Sequence, residues 1–169
     1  MKKIDLENGL ELAKKAAVQS GRLLLNSKQR LNKLLDASSK DTKLAADIES
    51  ENLIKEIINL DSKYPILAEE SGKSIENLDE TFWVVDPLDG TANYNRDIPI
   101  CCVSIGLVKN MKPVLGVIYD FNNDILYSGD RIHNSTMNNH PIRVSGYKNK
   151  KDGILITGLP HNTDYSNNS

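Results

Sequence analysis

The sequence predicts an α+β fold in which two N-terminal helices pack on a mostly antiparallel β-sheet. Apolar residues recur at helical spacing as far as Leu60, whereas after Tyr64-Pro65 they form short runs separated by turns rich in Asn, Gly and Lys. Helices followed by a series of strands are typical of the α+β class. Because the turns between the runs are too short for βαβ crossovers, the strands are expected to pair antiparallel.

Length and charge limit the domain organisation and the classes of partner. A chain of 169 residues is long enough for one domain with a core, which we assign to residues 1–160, followed by a polar tail at residues 161–169. The chain has 21 basic and 23 acidic residues and a formal net charge of -2. This balance gives no electrostatic basis for binding nucleic acid or an anionic membrane, so a small molecule or a protein is the expected partner.

The cysteines and the N-terminus indicate a cytoplasmic location. Cys101 and Cys102 are adjacent in an apolar run, where their side chains would point to opposite faces of a strand. Such a pair forms no disulfide framework and is typical of a reducing compartment. The sequence turns acidic at Asp5 before an apolar leader segment develops, and no later stretch has the length of a membrane-spanning helix.

The first helix is predicted from about Asp5 to Leu35, with a break near Asn26-Ser27, and a polar connection follows at residues 36–41. The second helix is predicted from about Leu44 to Leu60. Its core-facing residues are predicted to be Ile48, Ile54, Ile57 and Ile58, and its water-facing residues Glu49, Glu51, Lys55 and Glu56.

Five strands are predicted after the helices. They are residues 66–68, 82–85, 100–108, 114–119 and 125–127. Residues 109–112 and 121–124 are short enough to form hairpin turns between consecutive strands. We find no internal repeat, coiled coil or transmembrane pattern.

The segment W-V-V-D-P-L-D-G-T, from Trp83 to Thr91, is the most informative motif in the chain. A buried strand is predicted to end at Asp86, because Pro87 cannot donate to a ladder and Asp89-Gly90 favours a turn. Two carboxylates therefore lie three residues apart at a strand end. They could be ion-paired, cap a helix, or hold a hard cation between them.

A second acidic segment, Glu69-Glu70, follows the predicted strand at residues 66–68. If the two strands are neighbours, Glu69 and Asp86 can converge, and converging carboxylates suit Mg²⁺, which takes a few carboxylates and keeps several waters. Either acidic segment taken alone is more simply explained as surface carboxylates. The two segments together favour a magnesium site.

Gly90 and Thr91 add a second chemical feature. A glycine lets a backbone N–H approach an anion closely, and a threonine hydroxyl beside a carboxylate can orient a water for attack. The plainer alternative is a capped turn, to which a D-G-T sequence by itself most often belongs.

The motif resembles the signature of the inositol monophosphatase family, a group of Mg²⁺-dependent, lithium-sensitive phosphomonoesterases. The resemblance rests on D-P-L-D-G-T-A-N-Y at residues 86–94, preceded by W-V-V and, upstream, by A-E-E-S at residues 68–71. Further similar segments are residues 44–47, 103–107, 113–119, 138–145 and 157–160. The resemblance implies the first domain of the family's layered αβαβα fold.

The resemblance also implies a role for each matching residue. Glu69, Asp86 and Asp89 would be metal ligands, with the backbone carbonyl of Leu88 completing the site. Asp47 and Thr91 would position and activate the attacking water, and the amides of Gly90 and Thr91 would hold the substrate phosphate. The implied reaction is hydrolysis of a small phosphomonoester of the inositol monophosphate class by a metal-activated water, without a covalent intermediate.

Some features of the family are not matched. A W-D-x-A-A-G motif in the family's second half, whose aspartate is a further ligand, is not found after Pro160, so we expect impaired turnover from these 169 residues. Lys40 lies closer to Asp47 than the family's lysine does, which leaves its role open. The alternative to an enzyme is a non-catalytic domain that binds metal or a protein partner. The resemblance implies a homodimer, and it leaves inositol, sugar, histidinol and nucleotide phosphates as candidate substrates.

Overall fold

The computed structural model describes residues 6–32, 34–37, 42–71, 81–146, 148–149, 151 and 153–154. The helices are α1 (Leu6–Asn26), α2 (Lys28–Leu31), α3 (Ala45–Asp61) and α4 (Thr91–Asn95). The strands are β1 (Leu34–Ala37), β2 (Thr42–Leu44), β3 (Ile66–Ala68), β4 (Thr81–Asp89), β5 (Cys102–Lys109), β6 (Lys112–Asp120), β7 (Ile125–Asp130), β8 (Thr136–Met137) and β9 (His140–Pro141). The predicted α+β class is confirmed. The predicted tail at residues 161–169 lies outside the described residues.

The predicted N-terminal helix is shorter than expected and is followed by an unpredicted hairpin. Helix α1 ends at Asn26, at the predicted break, and the single turn α2 ends at Leu31. The prediction that the helix reaches Leu35 is wrong, because Leu34 begins β1 and pairs with Leu44 of β2 in an antiparallel ladder. Two adjacent leucines suit a strand or a helix equally well, and the ladder contact decides between them.

Within the described part of the chain, the main sheet has seven strands in the order β3-β4-β5-β6-β7-β8-β9. All neighbouring pairs are antiparallel except β3 and β4, which are parallel. The prediction of mostly antiparallel pairing is therefore confirmed. A parallel pair needs a connection of about a dozen residues or more, which residues 69–80 can supply. The β8–β9 hairpin, which was not predicted, turns at Asn138 and Asn139, and both have positive φ.

The core lies between one face of this sheet and the helices α1 and α3. Inward-facing residues such as Trp83, Ile105 and Val117 are at most 1% exposed, and they meet Leu24 of α1 and Ile54 of α3. The opposite face of the central strands has no helix on it among the described residues. None of the described helices has the length and apolar character required to cross a membrane.

Helix α3 has the predicted helical period, but its buried face includes polar residues. Ile54, Ile57 and Ile58 are buried as predicted. The prediction that Ile48 faces the core is wrong, since its side chain is 38% exposed, and the prediction that Glu51 faces water is wrong, since it is 4% exposed. The buried stripe contains Asp47, Ser50 and Glu51, because this end of the helix packs against the polar end of β4 rather than against the apolar core.

Candidate functional site

Strand β4 continues through the D-P-L-D segment instead of ending at Asp86. Asp86 pairs with Ser104 and Asp89 pairs with Cys102, so Pro87 and Leu88 together lie opposite a single residue of β5. This is a β-bulge, which bends a strand and leaves its extra residue outside the regular ladder. The predicted strand end is therefore wrong, and the physical reason is that a bulge accommodates the proline that a regular ladder would exclude.

The parallel pairing of β3 with β4 brings Glu69 beside Asp86. The Glu69 N–H donates to the carbonyl of Val85 at 3.2 Å, and the Glu69 side chain is hydrogen-bonded to that of Asp86. Burial raises the pKa of Asp86; the bond to Glu69 opposes that rise, and the charges of Asp89 and Asp47 add to it.

Asp47, in the first turn of α3, lies next to Thr91, the first residue of α4. The hydroxyl oxygen of Thr91 is 2.9 Å from Oδ1 of Asp47 and 3.0 Å from the carbonyl oxygen of Leu88, and both can accept its hydrogen. Oδ2 of Asp47 accepts the backbone N–H of Leu44 at 2.6 Å, which caps the start of α3. One carboxylate thus joins the helix start to the bulge of β4.

The environment of Asp47 disfavours its charged form. The side chain is 1% exposed, and this burial raises its pKa to about 6 even though the hydrogen bonds from Leu44 and Thr91 act in the opposite direction. The nearby charge of Glu70 adds a smaller upward contribution. A carboxyl group with a pKa close to neutrality can both accept and release a proton, as a general base requires.

Gly90 links the bulge to the short helix α4 in a conformation that suits glycine. Its φ is 92°, and a Cβ at this position would lie 2.7 Å from the carbonyl oxygen of Ile100. The carbonyl of Gly90 accepts the N–H groups of Asn93 and Tyr94, each at 2.9 Å. This turn places Thr91 where its hydroxyl reaches both Asp47 and Leu88.

Among the residues that the structure describes, no three His, Cys, Asp or Glu side chains form a group ready to hold a metal ion. Asp89 is exposed, and its Oδ2 lies 3.8 Å from Sγ of Cys102. Burial, with the charges of Asp89 and Asp86, raises the pKa of the Cys102 thiol to about 12. Lys40 lies outside the described residues.

Two residues that contact the site are absent from the predicted set. Ser50, one turn after Asp47 on α3, donates to the carbonyl of Pro87 at 2.7 Å. Oε2 of Glu51 accepts the N–H of Glu70 at 3.0 Å, while its Oε1 pairs with Lys55 at 2.5 Å. The helical period could have indicated both, since positions three and four after Asp47 lie on its face of the helix.

The sequence of this chain is similar to those of known proteins. The sequence model of the Inositol monophosphatase family matches residues 5–168. The chain is 33% identical over 160 residues to an inositol-1-monophosphatase of Synechocystis, covering 93% of this chain and 55% of the relative. It is also 33% identical over 159 residues to a fructose-1,6-bisphosphatase/inositol-1-monophosphatase of Aquifex aeolicus, covering 92% of this chain and 60% of the relative.

A solved structure shows the same fold. An inositol monophosphatase from Anabaena (Nostoc) superimposes with a TM-score of 0.72 and 40% identity, covering 85% of this chain and 52% of that chain. The present chain thus spans between half and two thirds of the length of these relatives. The family signature and the fold coincide over the described residues, and the chain belongs to the inositol monophosphatase family.

Proposed function

We propose that this domain takes part in the Mg²⁺-dependent hydrolysis of a small phosphomonoester by an activated water. The observation that carries the proposal is the Asp47–Thr91–Leu88 network, which adjoins the hydrogen-bonded carboxyl groups of Glu69 and Asp86. Metal-dependent hydrolysis of a phosphate ester needs a proton acceptor and acidic ligands for the metal, and these two components lie side by side here.

The donor chemistry of the site fits magnesium. Glu69, Asp86 and Asp89 supply carboxylate oxygens, and the carbonyl of Leu88 retains a lone pair beyond the one that faces Thr91. Oxygen donors are the ligands Mg²⁺ prefers. The Glu69–Asp86 pair supports the assignment, because two carboxyl groups that lie close together can bind a cation between them. When bound, Mg²⁺ would polarise phosphate oxygens and lower the pKa of a water.

Asp47 and Thr91 would act on the attacking water. The Thr91 oxygen can accept a hydrogen bond from the water while its own hydrogen points to Asp47, and Asp47 takes up the proton that the water loses. The water oxygen then bonds to phosphorus as the ester P–O bond breaks in line, and the leaving oxygen takes a proton from solvent to become an alcohol. No covalent enzyme intermediate is needed.

Gly90 and Thr91 would bind the substrate phosphate through their backbone amides. The turn at Gly90 supports this role, since these backbone amides lie at the start of α4, where an anion is favoured. We propose an inositol monophosphate as the substrate, because the similar proteins of Synechocystis and Anabaena are named for that activity. The bifunctional name of the Aquifex aeolicus relative makes fructose 1,6-bisphosphate the next candidate.

Three further properties belong to the same proposal. Inhibition by Li⁺ and a homodimeric state are proposed from the family resemblance. A cytoplasmic location is proposed because Cys101 and Cys102 are both free thiols.

The test is phosphate release by the 169-residue chain from inositol, sugar, histidinol and nucleotide phosphates, with Mg²⁺ and with or without Li⁺. The Synechocystis relative serves as the positive control. Mg²⁺-dependent, Li⁺-inhibited release supports the proposal, and Asp89→Asn should abolish it without altering the circular dichroism spectrum. If neither Mg²⁺ uptake by calorimetry nor release from any ester is detected, the metal and phosphatase assignments both fail.

The alternative is a non-catalytic domain that binds metal or a protein. The observation that favours it is the open face of the sheet, where Val84, Ile118 and Tyr127 are 37%, 45% and 37% exposed around a groove of about 720 Å³. Exposed apolar patches of this kind mark contact surfaces. Robust turnover by the short chain would exclude this alternative, whereas Mg²⁺ uptake without turnover would favour it.

A further inference from the structure

A chain of buried hydrogen bonds connects α1 to the bulge of β4 through α3. Ser20 of α1 and Ser50 of α3 are both fully buried. Their hydroxyl oxygens are 2.5 Å apart, and the Ser50 hydroxyl lies 2.7 Å from the carbonyl oxygen of Pro87. We refer to these three groups as the serine relay.

The direction of the relay follows from counting hydrogens. A serine hydroxyl has one hydrogen to donate and two lone pairs to accept with. The Pro87 carbonyl can only accept, so Ser50 uses its hydrogen there. Ser20 must then be the donor to Ser50. Each serine thereby orients the next group, and rotation of the Ser50 hydroxyl is restrained from both sides.

The relay ends at the β-bulge of β4, which contains the candidate metal ligands. Pro87 lies in the bulge, directly between Asp86 and the Leu88 carbonyl. The two bulge carbonyls are held by side chains, that of Pro87 by Ser50 and that of Leu88 by Thr91. A bulge lacks regular ladder hydrogen bonds, so side-chain donors of this kind fix its backbone angles.

We infer that Ser20 and Ser50 are positioning residues that set the orientation of Asp86, Leu88 and Asp89 through the Pro87 carbonyl. The assignment of those three residues as metal ligands rests on the proposed function. The orientation of the bulge itself does not, so it can be tested separately. Because Ser20 acts only through Ser50, the effects of removing the two hydroxyls must not add.

The experiment compares Ser50→Ala, Ser20→Ala and the double variant with the unmodified 169-residue chain. Mg²⁺ binding is measured by calorimetry, and hydrogen exchange is followed by mass spectrometry. Removing groups that orient metal ligands weakens metal binding by roughly tenfold or more. We expect Ser50→Ala to show that loss, Ser20→Ala a smaller one, and the double variant no more than Ser50→Ala. Exchange should rise selectively in peptides that contain residues 86–91.

The control is Ser128→Ala. Ser128 is also buried, and its hydroxyl is 2.9 Å from that of Thr136 in a pair far along the sheet from the bulge. The Ser128→Ala variant should be less stable than the unmodified chain, but its Mg²⁺ affinity and its hydrogen exchange at residues 86–91 should be unchanged. Mg²⁺ affinity equal to that of the unmodified chain in Ser50→Ala, or additive losses in the double variant, would overturn the inference.

Two other outcomes are also decisive. If the unmodified chain takes up no Mg²⁺, the ligand assignment fails, and hydrogen exchange alone then decides whether the relay orients the bulge. If Ser50→Ala does not fold, Ser20→Ala takes its place, since it removes one donor and leaves the bond to Pro87 possible. In that case, a rise in hydrogen exchange that is equal in all peptides of Ser20→Ala, rather than selective for residues 86–91, would overturn the inference.

Discussion

The Thr91 hydroxyl oxygen lies 2.9 Å from Oδ1 of Asp47, although 44 positions separate the two residues in the sequence. The contact joins the first turn of α3 to the first residue of α4, across the bulge of β4. It brings together a buried carboxyl group and the hydroxyl proposed to orient the water. The stability and the chemistry of the site therefore depend on the same pair of atoms.

Thr91→Ala should raise the pKa of Asp47 further, because the Thr91 hydrogen bond favours the charged carboxylate. Thr91→Ser keeps the hydroxyl and should leave that pKa close to its starting value. The measurement is a carbon-13 NMR titration of the Asp47 carboxyl group in each variant. The loss of one hydrogen bond should also lower the free energy of unfolding by about 1 kcal/mol. An unchanged Asp47 titration in Thr91→Ala would contradict a hydrogen bond between the two side chains.

Stability should fall as the pH rises through the titration of Asp47. Its pKa in the folded state is about 6, above the ordinary value of 3.8, so between these values the folded protein binds more protons than the unfolded chain. The free energy of unfolding therefore decreases with rising pH in this window and levels off above about pH 6. Asp86 titrates in the same direction, since its pKa is also raised.

The measurement is urea unfolding at several pH values, with Asp47→Asn as the comparison. The variant is expected to be less stable, because asparagine has one acceptor oxygen where the Asp47 side chain accepts from both Leu44 and Thr91. It should also show a smaller slope than the unmodified chain, since the contribution of Asp47 to that slope is removed. Equal slopes in the two proteins would show that Asp47 has an ordinary pKa.

Gly90→Ala should destabilise the fold by about 2 kcal/mol, because alanine is strained at positive φ. Its Cβ would also lie 2.7 Å from the Ile100 carbonyl oxygen. Gly116→Ala is the matched control, since a Cβ there meets nothing within 4 Å and the residue does not have positive φ. Chemical denaturation should find the control within about 0.5 kcal/mol of the unmodified chain. Similar losses in both variants would contradict the conformational argument.

Gly21→Ala tests the packing of α1 on the sheet. Helix propensity alone favours the substitution by about 1 kcal/mol. The added Cβ, however, would lie 2.5 Å from the ring of Tyr119 and 2.8 Å from Cβ of Phe121. Overpacking of a buried contact costs about 1–3 kcal/mol, so thermal unfolding should show a net loss of stability. A gain in melting temperature would mean that the helix stands further from β6 than described.

The regular elements were largely predictable because hydrophobic period and turn chemistry act locally. The period of α3 and the turn residues between β5, β6 and β7 were sufficient to predict those elements. The hairpin of β1 and β2 was not predictable, since Leu34 and Leu35 satisfy either period and only pairing with β2 selects the strand. The exposure of Ile48 and the burial of Glu51 were missed for a related reason. The apolar residues alone do not show which side of a helix is buried when that side packs against the polar end of a strand.

The sequence by itself determined the family, the α+β class and the acidic, glycine-containing motif, because these depend on residue type and spacing. Only the tertiary structure decided that β4 continues through a bulge, that β3 lies parallel to it, and that Ser20 reaches the motif through Ser50. Those relationships join residues far apart in the chain. A hydroxyl has no periodic signature, and its partner is fixed only when the helices and the sheet pack together.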